Sequence, residues 1–479
     1  MAEPPSGGTS VTGTLRGKDT DFLYDSEKQT LTAQGSNWEE IIDNRNIIAV
    51  INDPEDGEAT NGPVQKILLM KAINSPTPDS PGTKYAVEVI PATNLPYSFI
   101  SANLASPRIA SMAHPKVQSS TSFLYVIIST GSGHGEAQGF YDDVVKPAFV
   151  ASGINEYTYY VRTTTSSKSI TEFASAVLLP RANAGNSQTV LLLSGDGGVV
   201  DIVNTLLSFP RSSQFVKPVI GLKPMGTGNA LANSTGLNSD LTRGLRHFFR
   251  GEPKNLPTFR ATFSPQSQFL VDESSKIEPL AASDEECGVV YGAVVCSWAL
   301  HASLVADSDT TKYRKYGAER FQMAAKELLA PSDGSAPHVY KGKVTLFKKD
   351  NQGHEIQTTL DSNKYMYILA TMVSNLEEKL TISPHSKPLD GHLRLLHFGP
   401  IASGEVVKIL GLAFQGGGHV DEEVVGYDDI EGMRIDFDEP DGRWRRVCVD
   451  GKIVRIGEGG WMEVRKNTEA EVLDLVADF

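Results

Sequence analysis

Cysteine is nearly absent from this 479-residue chain, which has only Cys287, Cys296 and Cys448. Three cysteines cannot build a disulfide framework, and none stands in a CxxC or Cys/His ligand spacing. A reducing, cytoplasmic compartment is the expectation. No apolar run approaches the about 20 residues that a membrane-crossing helix needs. The first residues, MAEPPSGGTSVTGT, lack the basic and apolar regions of a secretory signal. Positive charge is also in short supply, with 44 Lys+Arg against 58 Asp+Glu and a formal net charge of −14. That balance argues against nucleic-acid binding as the main business, because contact with a phosphate backbone needs Lys and Arg in excess. Small anions are not excluded, since they need only a local site. What is present is 40% hydrophobic and 21% charged residues, enough to bury proper cores. The length suggests about two to four domains at about 100–200 residues each.

Residues 1–20 are rich in Gly, Ser, Thr and Pro and read as a loose tail. Residues 21–116 carry short apolar runs (47–51, 67–70, 85–90) separated by turn-rich stretches at 52–63 and 75–82, the pattern of an antiparallel β module. It holds no catalytic-looking cluster, so a structural or docking role is expected. Residues 117–255 change character. Apolar runs at 123–128, 157–161, 190–193 and 219–222 read as buried strands, and helical patterns fill 136–151 and 199–209. Glycine-rich loops follow three of those strands. This alternation predicts a parallel sheet with crossover helices, and ligands of such sheets sit at the carboxyl ends of the strands. In residues 256–479 the strands dominate, at 339–347, 365–372, 393–398 and 433–437, with a hairpin over 447–456 closed at Asp450-Gly451. The acidic stretch 265–288 shows no pattern and reads as a lid or, preferably, a tolerated insertion. The fold class expected is α/β: a β-rich N-terminal module, an α/β parallel-sheet domain, and a β-sandwich-like second domain.

Three loops carry the chemistry. In the first, Ser129-Thr130-Gly131-Ser132-Gly133-His134-Gly135, glycines allow backbone N–H groups to approach a phosphate at the start of a helix. Alone it is weak, because a tight strand-to-helix turn needs glycine for geometry. The second is Ser194-Gly195-Asp196-Gly197-Gly198. A carboxylate at the end of a buried strand is costly without a partner, so function is favoured over simple helix capping. Asp201 and Asn204 follow at i and i+3, on one helix face. The third, Pro224-Met225-Gly226-Thr227-Gly228-Asn229-Ala230, adds a hydroxyl and an amide at a helix start. Two other features have plainer readings. The 241–250 stretch, LTRGLRHFFR, could rest on an anionic bilayer, but a crossover helix packing its aromatics on the sheet is preferred. His301 is expected to be a packed histidine.

Taken together and in order, these blocks resemble the diacylglycerol kinase and sphingosine kinase superfamily of lipid kinases. Its pattern runs N-P-x-x-G-x-G, then S/G-G-D-G-x-x-x-E-x-x-N, then P-x-G-T/S-x-N-x-x-A, and the residues matching it are 129–135, 194–204 and 224–232. The stretch from Cys296-Ser297-Trp298 through Asp307 to Phe321, with YRKYGAERF, is similar to a sphingosine kinase block, and Val449-Asp450-Gly451 resembles the family's D-G-E. The resemblance spans about residues 123–463. It implies transfer of the γ-phosphoryl group of ATP, with Mg2+, to a lipid hydroxyl, at a site between the two larger domains. Gly131, Ser132, Gly133 and Gly135 would cradle phosphates, and Thr164 (or Thr165) would lie near ribose and adenine. Ser194, Gly195 and Gly197 would sit at the transferring phosphate, with Gly226, Thr227 and Asn229 completing the floor. Arg314 and Arg320 would hold phosphates. Asp196 and Asp450 would lie at Mg2+. Asp196 is the first choice for proton acceptor and Asp307 the second. Asp307 would also contact the amino head group of a sphingoid long-chain base, the leading acceptor.

Three departures stand out: Ser129-Thr130 replaces Asn-Pro, Asp201 replaces Glu, and Lys452 replaces the Glu of D-G-E. They keep open a diacylglycerol or ceramide kinase, and a pseudokinase that binds nucleotide or lipid without turnover. A soluble acceptor, as in NAD kinases, is disfavoured by YRKYGAERF. The partners implied are a lipid substrate and transient, peripheral contact with membranes. No nucleic acid is expected, and the oligomeric state is not legible.

Overall fold

The computed structural model describes residues 10–52, 64–73, 84–113, 122–272, 274–283, 285–317, 319–468 and 471–479, without the Arg314 side chain. Most of the turn stretches predicted at 52–63 and 75–82, and residues 1–9 of the expected tail, lie outside the described residues.

The first module is a seven-stranded antiparallel sheet formed by Val11–Leu15, Lys18–Asp25, Thr30–Gly35, Trp38–Asp43, Ile47–Asn52, Val64–Ile73 and Lys84–Thr93. The first strand pairs with the second and the last, so the order is 4-3-2-1-7-6-5. Helix Tyr97–Asn103 drops Phe99 into the core against Tyr24, ring to ring at 5.4 Å. The expected tail at 1–20 needs correction, because its second half is strand. Leu15 and Thr20 are buried, and Thr14 pairs with Thr93 from 79 residues away. Only that distant partner gives the Ser/Thr/Gly-rich run a hydrophobic side.

This module is not loosely appended. Ile48, Ala49, Leu68 and Met70 share a cluster with Val126, Leu191, Phe248 and Phe249. The Ala105 N–H donates to the Val50 carbonyl at 2.9 Å, and the Ser106 N–H to the Phe249 carbonyl at 2.8 Å. Helix Leu245–Arg250 therefore buries both phenylalanines, while Arg246 and Arg250 pair with Asp240 and Asp478. That is the packed-helix reading of 241–250.

The middle of the chain folds into a six-stranded sheet in the order Glu252–Asn255, Asp474–Ala477, Val219–Pro224, Ser187–Ser194, Ser122–Ile128, Tyr159–Thr163. The strands run parallel except for Glu252–Asn255. Leu191 and Leu193 point to one layer of helices, Val190 and Leu192 to the other. Such two-sided burial explains the unbroken apolar runs of the sequence. The boundary expected at 255/256 is crossed here: the chain's last strand leaves the second domain and pairs with Val219–Pro224.

The second domain is a sandwich of a seven-stranded and an eight-stranded antiparallel sheet. Trp298, Phe259, Tyr340, Tyr365 and Met433 fill the space between them. The 265–288 stretch, expected to be structureless, instead contains a hairpin, Gln268–Val271 with Lys276–Pro279, which extends the eight-stranded sheet beside Lys452–Arg455. Its first strand is half-buried at every position, so no two-residue hydrophobic period was there to read.

Candidate active site

The sheet order sets Ser122–Ile128, Ser187–Ser194 and Val219–Pro224 side by side and parallel, so their three loops emerge at one edge. The loops touch. Gly133 has φ +54°, and a Cβ there would collide with the Met225 carbonyl oxygen. A Cβ on Gly226 would come within 2.8 Å of the Gly195 Cα. These two glycines are required by close backbone approach, one by the first and third loops, the other by the second and third. Ser132 Oγ lies 2.8 Å from Ser129 Oγ and 3.4 Å from Ser194 Oγ, linking the first and second loops. Asn229, itself at φ +52°, closes the third loop: its Oδ1 accepts from the Gly226 N–H at 2.9 Å and its Nδ2 donates to the Gly226 carbonyl at 2.7 Å.

Thr164 is tied to the first loop. It is 8% exposed, its Oγ1 accepts from the Thr130 N–H at 3.1 Å, and its carbonyl accepts from Thr130 Oγ1 at 2.9 Å. It fixes the first loop from below. Gly131, Gly135, Gly197 and Thr227 are exposed, and a Cβ on Gly131 or Gly197 would meet nothing within 4 Å. The local fold does not require glycine at those two positions, which leaves an open face for a bulky group.

Asp196 opens the helix Asp196–Ser208 and reaches across to the start of helix Ala230–Ser234. Its Oδ2 accepts from the Leu231 N–H at 3.2 Å, while Oδ1 is buried with no hydrogen-bond partner. Burial pushes this carboxyl up to about 6, against the opposing pull of the amides at Leu231, Ala230 and Ala232. Asp450 stands at the hairpin turn at φ +48°. Its Oδ2 accepts from the Ala293 N–H at 2.7 Å, and its Oδ1 from the Val294 and Val295 N–H groups at 3.1 and 2.6 Å. Burial raises it to about 7, the three amides oppose the rise, and the charge of Asp196 adds to it. The two carboxylates, one from each domain, feel each other, but only Asp196 has an oxygen to spare.

That difference bears on a divalent cation. Among the described residues no group of three or more His, Cys, Asp or Glu side chains could cage a metal. Mg2+ characteristically takes one or two carboxylates together with substrate phosphates. The orphan Oδ1 of Asp196 fits that demand, whereas the oxygens of Asp450 are engaged by backbone amides.

The remaining predicted residues gather elsewhere. Asp307, on helix Leu300–Ser308, is held by two guanidinium groups, Arg446 at 2.7 Å and Arg443 at 3.2 Å. Arg320 pairs with Asp309 at 3.9 Å, and its Nε is buried without a hydrogen-bond partner. The Arg314 side chain lies outside the described part. Among the described residues, no hydrogen bond or ion pair ties Asp307 or Arg320 to Asp196. His301 donates to or accepts from Ser297 Oγ at 2.7 Å, and burial pushes its imidazole down to about 4, so it is a packed, neutral histidine.

The sequence reading passed over Arg443, Arg446 and Lys223, and it placed Thr130, Asn204 and Lys452 in the motifs without their contacts. Thr130 locks the first loop, and Arg443 and Arg446 neutralise Asp307. Asn204 grips the Tyr291 backbone: its Nδ2 donates to the carbonyl at 2.6 Å and its Oδ1 accepts from the N–H at 2.9 Å. Lys452 donates to Asp201 Oδ1 at 2.6 Å. Lys223, 3% exposed, stands over the Phe140 ring at 4.3 Å, and burial pushes its ammonium down to about 7. A lysine ending an otherwise apolar strand was the available signal for the last of these.

The architecture is that of an α/β protein whose parallel sheet carries three converging glycine loops and whose second domain is a β sandwich. Residues 124–261 match the family model of the diacylglycerol kinase catalytic domain. Sphingoid long-chain bases kinase 1 of Arabidopsis thaliana is 31% identical over 108 residues, 22% of this chain and 13% of that protein. Sphingosine kinase B of Dictyostelium discoideum is 38% identical over 76 residues, 16% of this chain and 10% of that one. The chain thus spans only a small part of the curated relatives it matches. The crystal structure of a diacylglycerol kinase from Bacillus anthracis str. Sterne aligns over 75% of this chain and 98% of its own, with 11% identity and a TM-score of 0.46.

Proposed function

We propose that this protein is an ATP-dependent lipid kinase that moves the γ-phosphoryl group of ATP to a lipid hydroxyl. The observation that carries the reading is the buried, unpartnered Oδ1 of Asp196 at the meeting point of three glycine loops. Phosphoryl transfer asks a protein for positioning and charge neutralisation. The exposed first and third loops, with Gly131, Ser132, Gly133, Gly135, Gly226 and Thr227, offer backbone amides and hydroxyls for phosphate oxygens. Ser194, Gly195 and Gly197 flank Asp196 and leave room beside it. Asp196 orients the acceptor hydroxyl and takes its proton as the new P–O bond forms and the bond to the ADP oxygen breaks. Mg2+ would be held by phosphate oxygens together with the Asp196 carboxylate, and would supply neutralisation of phosphate charge. Asp450 sets the turn that faces Asp196, and Arg314 and Arg320 are proposed as phosphate contacts.

For the acceptor, a sphingoid long-chain base is our first reading, since a carboxylate at Asp307 suits an ammonium head group. A diacylglycerol or ceramide is the second, favoured by one observation: Asp307 already pairs with Arg443 and Arg446, so an ammonium must displace a guanidinium. Either lipid requires visits to a membrane surface, and among the described residues no helix is long and apolar enough to cross one. The test is purified protein with labelled ATP, Mg2+ and a panel of sphingosine, phytosphingosine, ceramide and diacylglycerol. Transfer to at least one lipid, lost in Asp196→Ala, is expected. ATP binding with no transfer to any lipid refutes the kinase reading and leaves a nucleotide-binding pseudokinase. Unchanged sphingosine phosphorylation by Asp307→Asn refutes the role given to Asp307.

A further inference from the structure

Two of the chain's departures from the lipid kinase pattern are a single feature in three dimensions. Asp201 stands where the pattern has Glu, and Lys452 stands where D-G-E ends in Glu. They are 251 positions apart in sequence, and Lys452 Nζ donates to Asp201 Oδ1 at 2.6 Å across the domain boundary. Two carboxylates at these positions would repel, whereas an aspartate and a lysine attract.

We infer that Lys452 and Asp201 are positioning residues, an interdomain bolt that fixes the Asp196 helix against the Asp450 turn. The connections form a closed circuit. Asp201 and Asn204 lie on one face of helix Asp196–Ser208, the face turned to the second domain. Asn204 takes both backbone groups of Tyr291. Tyr291 precedes by two residues the amides at 293–295, which grip the Asp450 carboxylate. Asp450 precedes Lys452 by two residues, and Lys452 returns to Asp201. Cutting the circuit at Lys452 frees the hairpin side of the helix while the Asn204 side stays tied.

The expected signature separates positioning from stability. The Lys452 side chain is 36% exposed and that of Asp201 16%, and ion pairs with solvent access contribute little to stability. A shift of about 1 Å in a reacting group, by contrast, can cost about a hundredfold in rate. This inference rests on the kinase reading for its catalytic half, while its structural half does not.

The experiment compares wild type, Lys452→Met, Asp201→Asn, and the charge-swapped pair Asp201→Lys with Lys452→Asp. Lys408→Met, which removes an exposed pair with Glu422 that lies in none of the three loops, is the control. Each single bolt variant is expected to lose about tenfold or more in kcat, between the extremes set by full and negligible misplacement. The KM for ATP should stay within about threefold and Tm should barely move, because the loops themselves are intact. The swapped pair should recover most of kcat, and the control should match wild type. Unchanged kcat in Lys452→Met, a Tm loss in proportion to the kcat loss, or a swap no better than the singles overturns the proposal. Hydrogen exchange of amides 196–208 and 288–295 supplies a readout that needs no turnover. Faster exchange in Lys452→Met supports the bolt, and unchanged exchange overturns it. If wild type transfers phosphate to no lipid, the kinase reading falls, and exchange alone still decides the bolt.

Discussion

Asp196→Asn is the perturbation that separates what this carboxylate does for the fold from what it does for chemistry. In the fold it is a burden. Its pKa rises from 3.8 to about 6 because burial disfavours the charge, a difference of roughly two units, or about 3 kcal/mol at most. A folded pKa above the unfolded one means that the native state holds the proton more tightly, so stability falls as pH rises from about 4 to 6 and stays lower above that. Asparagine keeps the acceptor for the Leu231 N–H and removes the charge, so Tm at pH 7.5 should rise. In the chemistry it is needed: a positioned base contributes about 10²–10⁴-fold, and that factor should vanish with the substitution. Ionisation near pH 6 also predicts an acid limb, with the wild-type rate falling about tenfold between pH 7.5 and 5 as the carboxylate protonates. The assay is initial rates with labelled ATP and lipid in detergent micelles from pH 5 to 8, with thermal melts on the same samples. A variant that keeps its rate, or a wild-type profile flat across this range, refutes the assignment. A variant that loses rate and stability together refutes the claim that the carboxylate is held at a cost.

Gly133→Ala should abolish ATP binding measured by calorimetry, because φ +54° and the Met225 carbonyl leave no place for a methyl group. Asn204→Ala strands the N–H and carbonyl of Tyr291 and should cost about 2 kcal/mol in denaturant unfolding. Lys223→Met should stabilise the protein by about 1–4 kcal/mol at pH 7, as removal of a poorly compensated buried charge does. Its ammonium sits at about 7 in the fold against 10.5 outside it, so wild-type stability rises with pH through that window and the gain should shrink toward pH 10.

Much of the middle of the chain was legible because its strands are buried on both faces. A run such as 190–193 has one interpretation when glycine-rich loops and helical periods follow it, and the three loops declared themselves by composition. The N-terminal strands at 11–20 and the hairpin at 268–279 were not legible. Their residues are half-buried or polar, and their hydrophobic side exists only once a distant strand supplies it.

At the site the division is similar. Sequence alone determined which residues end the parallel strands, that glycines surround Asp196, and that 124–261 is similar to the diacylglycerol kinase catalytic domain. Tertiary structure decided what each acidic group has left to offer. Asp196 keeps a free oxygen because only Leu231 reaches it closely. Asp450 is consumed by three amides, Asp307 by two arginines, and Asp201 by a lysine 251 positions away. A carboxylate's chemistry depends on how many of its oxygens remain unpaired at its final depth of burial, and those partners come from parts of the chain that no local spacing connects.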